Sequence, residues 1–382
     1  MSKHGKILVA MSGGIDSTVA AMMLHDEGYE VVGITMKTWD YESSGVVNGK
    51  ETGCCSLDSL NDARMMAVER GFPHLILDIR DEFNSFIVSN FVDEYMAGRT
   101  PNPCVLCNTH IKWDALLKRA DMLDCEYIAT GHYAQLRNEN NRWIISKGKD
   151  EHKDQSYVLW GLSQKSLQRT KFPLGQYTKQ EIRKIALENG LTELVQKSES
   201  YEICFVPDND YRAFLKRKVK NLRELEGGNF IDKNGKILGK HKGYPFYTIG
   251  QRKGLGIALG EPAYVIAINP KENTVTLGKK EDLARQKMYV KNPNIIKYET
   301  LPENIEALTK IRYKDKGTMA ELKMIDENFL EVNFMNNVYG VAPGQSAVFY
   351  EDSDLIGGGF ICREDEVTSH NTTPQNSEYI NS

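Results

Sequence analysis

What the chain lacks narrows its class first. Its 382 residues hold no run of about eighteen apolar side chains, the length that a membrane-spanning helix needs, and the mean hydropathy is −0.46. The one apolar stretch near the start, Ile7 to Met11, is followed by no small-residue cleavage site, so no secretory leader is expected. Cysteine is sparse and odd in number, seven in all. That excludes a disulfide scaffold and points to a reducing, cytoplasmic setting in which a special thiol is a catalyst or a ligand. Neither charge sign dominates: 48 Lys and Arg face 52 Asp and Glu, and the net −4 argues against a generally basic nucleic-acid binder. The eight histidines offer no metal triad.

What is present reads first as alternating strands and helices. Strands are expected at Lys6 to Met11, Glu30 to Met36, His74 to Ile79 and Glu126 to Thr130. Between them lie helices closed by Gly28 and Gly71, a helix from Asp81 to Met96, and an amphipathic helix carrying Trp113, Leu116, Leu117 and Ala120. This is the pattern of an α/β doubly wound parallel sheet, Rossmann-like, with ligands at the carboxyl ends of its strands. Tyr41 to Gly53 reads as a polar loop. From about Asp208 the texture changes: Asn234-Gly235 is a hairpin signal, and from Met288 onward come short strand-like pieces, among them Ile311 to Lys314. The expected organisation is a catalytic α/β domain over 1–207, a basic β-rich central domain over 208–283, a C-terminal β-barrel over 284–364 and an unstructured tail over 365–382.

Two stretches carry chemistry. Ser12-Gly13-Gly14-Ile15-Asp16-Ser17 lies between a strand and a helix, where backbone N–H groups and the helix dipole make an anion site; its glycines let the chain wrap a phosphate and its serines add donors. No Gly-Lys-Ser/Thr closes it, so it is not a Walker loop. It resembles the pyrophosphate (PP) loop of ATP pyrophosphatases, which cleave ATP between the α and β phosphates to adenylate a substrate oxygen. Gly98 to Asn108 contains Pro101, Pro103 and the Cys104-x-x-Cys107 pair. Cys107 is expected just before the amphipathic helix, where a helix N-terminus would lower a thiol pKa. A metal or thioredoxin-type reading of the pair also stands open, although the only other close pair is Cys54-Cys55. Cys204, between Ile203 and Phe205, reads by itself as core.

Nine strings in order resemble the tRNA-specific 2-thiouridylases: Met11 to Ser17, Met36 to Asp40, Gly98 to Asn108, Thr130 to Ala134, Lys153 to Tyr157, Ile203 to Phe205, Thr248 to Leu255, Arg312-Tyr313 and Pro343 to Gln345. The resemblance implies an ATP-dependent transferase that replaces the C2 oxygen of the tRNA wobble uridine with sulfur. It implies ATP held by Ala10, Met11, Ser12, Gly13, Gly14, Ile15, Asp16, Ser17, Met36 and Gly131, with Mg2+ on the phosphates. It makes Cys204 the persulfide carrier and Cys107 the nucleophile that closes a disulfide with it. Asn102, Pro103 and Cys104 would touch the target base. His132, Lys153, Asp154, Gln155, Arg312, Tyr313 and Gln345 would contact tRNA, and a cysteine desulfurase or a sulfur-relay carrier would supply the sulfur. One residue departs from the pattern: many members have Asp where this chain has Cys104, so either another group, a water or Cys104 itself, gives the acid/base help of that carboxylate or the help is dispensable, and Cys104 is assigned to base contact and not to catalysis. The alternatives are another PP-loop adenylating ligase with idle cysteines, and a tRNA-binding relative without activity.

The charge average also hides a contrast. Eleven Lys/Arg stand against three acidic residues between Lys216 and Lys253, a local +8 that leaves −12 to the rest. With Tyr244, Phe246 and Tyr247 among the lysines, this insert reads as a phosphate-tracking surface for folded RNA.

Overall fold

The computed structural model describes residues 2–39, 57–197, 203–206 and 209–372. Asp40, the Tyr41 to Gly53 stretch, the Cys54-Cys55 pair and the tail beyond 372 lie outside the described residues.

Four early strands, β1 (Lys6–Ala10), β2 (Glu30–Lys37), β3 (His74–Asp78) and β4 (Tyr127–Ala129), are followed by a hairpin of β5 (Ala134–Glu139) and β6 (Arg142–Lys147) and by the short β7 (Thr170–Lys171). Five of them form an all-parallel sheet in the order β3-β2-β1-β4-β7. Strand β1 shows why it is doubly wound. Ile7 and Val9 pack on one face with Met22, Leu24, Ala63 and Met66, while Leu8 packs on the other with Trp113, Leu116 and Ala120. Both faces are covered, so the strand is apolar throughout and does not alternate. Because β1 has β2 on one side and β4 on the other, the strand order reverses beside β1, where such folds bind ligands.

The thiol-bearing helix differs from expectation. It starts at Pro103, not near Trp113, and runs through a wide π turn at Cys107–Lys112 into the helix Trp113–Met122. Proline fits the first helical position because the N–H it lacks would be unpaired there. A second π turn, Asn84–Val88, interrupts the helical run 80–96.

The central region forms a four-stranded sheet, β10-β11-β8-β9, from β8 (Asn229–Ile231), β9 (Ile237–Lys240), β10 (Tyr264–Asn269) and β11 (Thr274–Gly278). Gly235, at φ +84°, turns the β8–β9 hairpin as its sequence indicates. The remaining strands, β12 (Ala284–Ile295), β13 (Ile305–Lys310), β14 (Thr318–Met324), β15 (Phe329–Tyr339), β16 (Ser346–Glu351) and β17 (Asp354–Cys362), form a six-stranded antiparallel barrel closed by β12 pairing with β17.

Three expectations need correcting. Ile311 to Lys314 is a turn after β13, since the strand pairing ends at Lys310. The first residues of the expected tail form a helix, Glu364–Thr372, anchored by Val367 on Phe329 and Cys362. The β5–β6 hairpin, inside the first expected domain, joins the barrel sheet at Ser146 opposite Asp354. The Asp354 carboxylate ties that seam by accepting from Arg137 (2.7 and 2.9 Å), Ser146 Oγ (2.7 Å) and Lys297 (2.7 Å), and these donors hold it well below the usual carboxylate range.

Candidate active site

The loop after β1 is shaped by its own hydroxyls. Ser17 Oγ accepts from Ser12 N–H (3.0 Å), lies 3.2 Å from Ser12 Oγ and donates to the Gly14 carbonyl (3.1 Å), closing the turn on itself. Gly13 has φ +70°, and a Cβ there would meet the Ser59 carbonyl at 2.0 Å, so both conformation and space demand glycine. Gly14 caps the helix Ile15–Glu27 in extended conformation with no side-chain cap, which leaves the helix end open to an anion. Gly131, just beyond β4, approaches the same helix so closely that a Cβ would stand 2.9 Å from Ser17 N. Ala10 to Ser17, Gly131 and Met36, near the end of β2, therefore share the carboxyl edge of the sheet.

Asp16 is already engaged. Lys179 Nζ lies 2.7 and 2.8 Å from its two oxygens, and Tyr133 OH donates to Oδ1 at 2.7 Å. Sequence reasoning missed both partners. Tyr133 sits inside the Thr130 to Ala134 string, whereas Lys179 is 163 positions from Asp16 and has no local signal beyond the Thr178–Glu181 capping box that starts its helix.

His132 stands between the carboxyl edge of the sheet and the thiol helix. Its Nδ1 is 2.8 Å from Thr130 Oγ1, and its ring packs against Trp113 and Phe172 at 5.7 and 6.2 Å between centroids. Burial, with a smaller push from Lys112, lowers its pKa to about 3, so the imidazole is neutral near pH 7 and presents hydrogen-bonding nitrogens, not a charge.

Cys107 is 6 % exposed and lies in an apolar cluster with Phe83, Ile87 and Phe205. Its N–H already bonds helix carbonyls of Pro103 and Cys104, so the expected thiol activation by an open helix end does not apply. Cys204 is exposed and is carried by Phe205, whose ring packs edge-on against Phe83 and Phe91 at 5.6 and 5.2 Å. The thiols thus flank one aromatic cluster through Cys107 itself and through the residue after Cys204, and neither is in a disulfide. Cys104 reaches solvent but is crowded by protein, and desolvation raises its thiol pKa against a lesser pull from Lys112.

The expected RNA-contacting residues divide. Arg312 and Tyr313 are exposed on the turn after β13. Gln345 is spent on the fold: its Nε2 donates to the carbonyls of Thr100 (3.2 Å) and Pro101 (2.9 Å). With Thr100 N–H on Pro343 O (2.8 Å) and Asn102 Nδ2 on Ser346 Oγ (3.2 Å), it fastens the Gly98 to Pro103 loop to the barrel. Asp154 turns inward, where Gly148 N–H, Ser156 N–H and Ser156 Oγ occupy its carboxylate. Gln155 brackets Tyr133 with two hydrogen bonds, and Lys153 is half-buried beside it. All eleven Lys/Arg of the basic insert are exposed, but Tyr244, Phe246 and Tyr247 are buried at 4 % each, so they build its core and not its surface.

Among the described residues no group of three or more His, Cys, Asp or Glu could hold a metal, and no helix is long and apolar enough to cross a membrane.

Residues 5–208 match the family model described as tRNA methyl transferase HUP domain, 212–279 the tRNA methyl transferase PRC-barrel domain, and 285–361 the aminomethyltransferase beta-barrel domain. Proteins named tRNA-specific 2-thiouridylase MnmA are similar over 94 % of this chain. That of Amoebophilus asiaticus is 62 % identical with 96 % of its length covered, that of Cytophaga hutchinsonii 60 % with 98 %, and that of Salinibacter ruber 56 % with 95 %. A solved 4-thiouridine synthetase–RNA complex with bound ATP matches 57 % of this chain and 51 % of its own at 17 % identity and TM-score 0.35, a likeness too slight to argue from.

Proposed function

The chain belongs to the tRNA-specific 2-thiouridylase family, and on that premise we propose that it uses ATP to replace the C2 oxygen of a tRNA wobble uridine with sulfur. The observation that carries the reading is the pairing of a self-closed, uncapped phosphate loop at the sheet edge with two reduced thiols flanking one aromatic cluster.

The uracil carbonyl oxygen is a poor leaving group. Adenylation of that oxygen, with release of pyrophosphate, turns it into AMP's oxygen, which leaves readily. Ala10 to Ser17, Met36 and Gly131 hold the nucleotide for this step, and Asn102, Pro103 and Cys104 face the base. The terminal sulfur of a Cys204 persulfide then adds at C2 and expels AMP. Cys107, as thiolate, attacks Cys204 Sγ; the sulfur–sulfur bond breaks, its electron pair stays with the sulfur on C2, and a Cys107–Cys204 disulfide forms that an external dithiol reduces. Mg2+ would arrive with the ATP phosphates, where it would offset their charge, and Asp16, in the loop, is the carboxylate that would stand nearest to ligate it. His132, Lys153, Gln155, Arg312, Tyr313 and the basic insert form the tRNA-facing surface, and Asp154 and Gln345 shape it from behind. A cysteine desulfurase or sulfur-relay carrier loads Cys204, which is exposed as such a handover requires.

Methyl transfer, the word in the family-model descriptions, is the second reading. Purified protein incubated with unmodified tRNA, Mg-ATP and a persulfide donor should yield 2-thiouridine on digestion and mass spectrometry, only when ATP is present. A methylated nucleoside with added methyl donor, or ATP turnover without a thiolated product, would contradict the proposal.

A further inference from the structure

Lys179 is the one buried lysine among the described residues, 6 % exposed, and both Asp16 oxygens lie within 2.8 Å of its ammonium. Its backbone is fixed twice: its N–H donates to Asp150 Oδ2 (2.9 Å), and it opens the helix Lys179–Glu188 behind the Thr178–Glu181 capping box. Asp16 occupies the first turn of the helix whose open end faces the phosphate site, and its side chain keeps 33 % of its surface. A helix N-terminus favours an anion nearby, but an unpaired carboxylate in that turn would occupy the favourable field and repel an incoming phosphate. Lys179 offsets that charge from 2.7 Å, and Tyr133 OH donates to Oδ1 of the same carboxylate.

We propose that Lys179 is a positioning residue for the nucleotide: it neutralises Asp16, so that the Ser12–Ser17 loop presents an uncancelled anion site to the phosphates of ATP. The proposal rests on the ATP reading above and adds a group outside the loop itself. It separates two roles for a lysine near phosphate, because a lysine acting through Asp16 becomes dispensable once Asp16 carries no charge, whereas a lysine touching phosphate does not.

Equilibrium binding of Mg-ATP, by calorimetry on the full chain, decides it. Lys179→Met should weaken binding by about tenfold or more, because it leaves the Asp16 charge unneutralised in the first turn of the helix that faces the anion. Lys179→Arg should keep most of the affinity. Asp16→Asn combined with Lys179→Met should bind within about twofold of Asp16→Asn alone. Added salt should narrow the Lys179→Met deficit, because the repulsion passes through partly exposed Asp16. An equal loss from Lys179→Met in both backgrounds would overturn the proposal, as would no loss in either. Should Lys179→Met alone fail to fold, the double variant, with its neutral pair, measured against Asp16→Asn still separates the two roles. Absence of ATP binding by the unaltered protein would instead remove the ATP reading.

Discussion

At the scale of single residues, the loop serines and Gly13 are legible in the sequence because their roles are local, a turn and a hydroxyl one helical turn away, whereas Gly131 is named only by the family resemblance, since the Ser17 backbone it approaches is distant in the chain. Asp16 is legible as a loop member, but its engagement is not, since Lys179 and Tyr133 arrive from distant chain positions. Cys107 illustrates the same limit. Its string is plain, but the start of its helix is not, because Pro103 begins a helical run whose π turn hides the 3.6-residue periodicity. His132 yields a stability prediction. Its folded pKa of about 3 lies below the unfolded value near 6.5, so the unfolded chain binds the extra proton between those values, and folding stability falls as pH drops through that window. His132→Gln should therefore flatten the loss of stability between pH 6 and pH 4, by up to about 1.4 kcal/mol per pH unit in denaturant titrations. An unchanged slope would show that the imidazole is not held neutral.

At the scale of elements, β1 to β4 are readable because doubly covered strands are continuous apolar runs. The β5–β6 hairpin and β12 are not, since their burial depends on partners far along the chain, as with Ser146 opposite Asp354. Two predictions belong here. Gly13→Ala forces a methyl against the Ser59 carbonyl at a left-handed φ, so the loop must shift. The variant should lose about 1–3 kcal/mol of stability and most of its ATP affinity, read by thermal melts and calorimetry. Gln345→Ala leaves the Thr100 and Pro101 carbonyls without their donor. It should cost only about 1 kcal/mol in stability while lowering the rate of thiolation more than it lowers tRNA affinity, because the loop it fastens leads into Cys104. Weakened tRNA affinity with an unaltered rate would make Gln345 a direct RNA contact instead.

At the scale of the whole molecule, a phosphate loop, a thiol helix and a barrel are joined by few seams, and the seams determine the site. The barrel grips the Gly98–Pro103 loop, and the hairpin that follows β4 is stitched to the barrel at Asp354. Charge follows the same division, with eleven exposed cations concentrated in a central region whose aromatics lie inside. Replacing Lys233, Lys236, Lys240 and Lys242 together by Ser should weaken tRNA binding and lower the slope of log affinity against log salt by up to about 0.9 per lost phosphate contact, with ATP affinity unchanged. The central claim, that sulfur passes through Cys204 to a uridine activated by ATP, is tested most directly in a single turnover. Protein loaded with labelled persulfide is mixed with tRNA, and the label on the Cys204 peptide and in 2-thiouridine is followed by mass spectrometry with and without ATP. The account predicts that label leaves Cys204 and enters tRNA only with ATP, leaving a Cys107–Cys204 disulfide, and that Cys204→Ser transfers none. Label carried by another cysteine, or reaching tRNA without ATP, would contradict it.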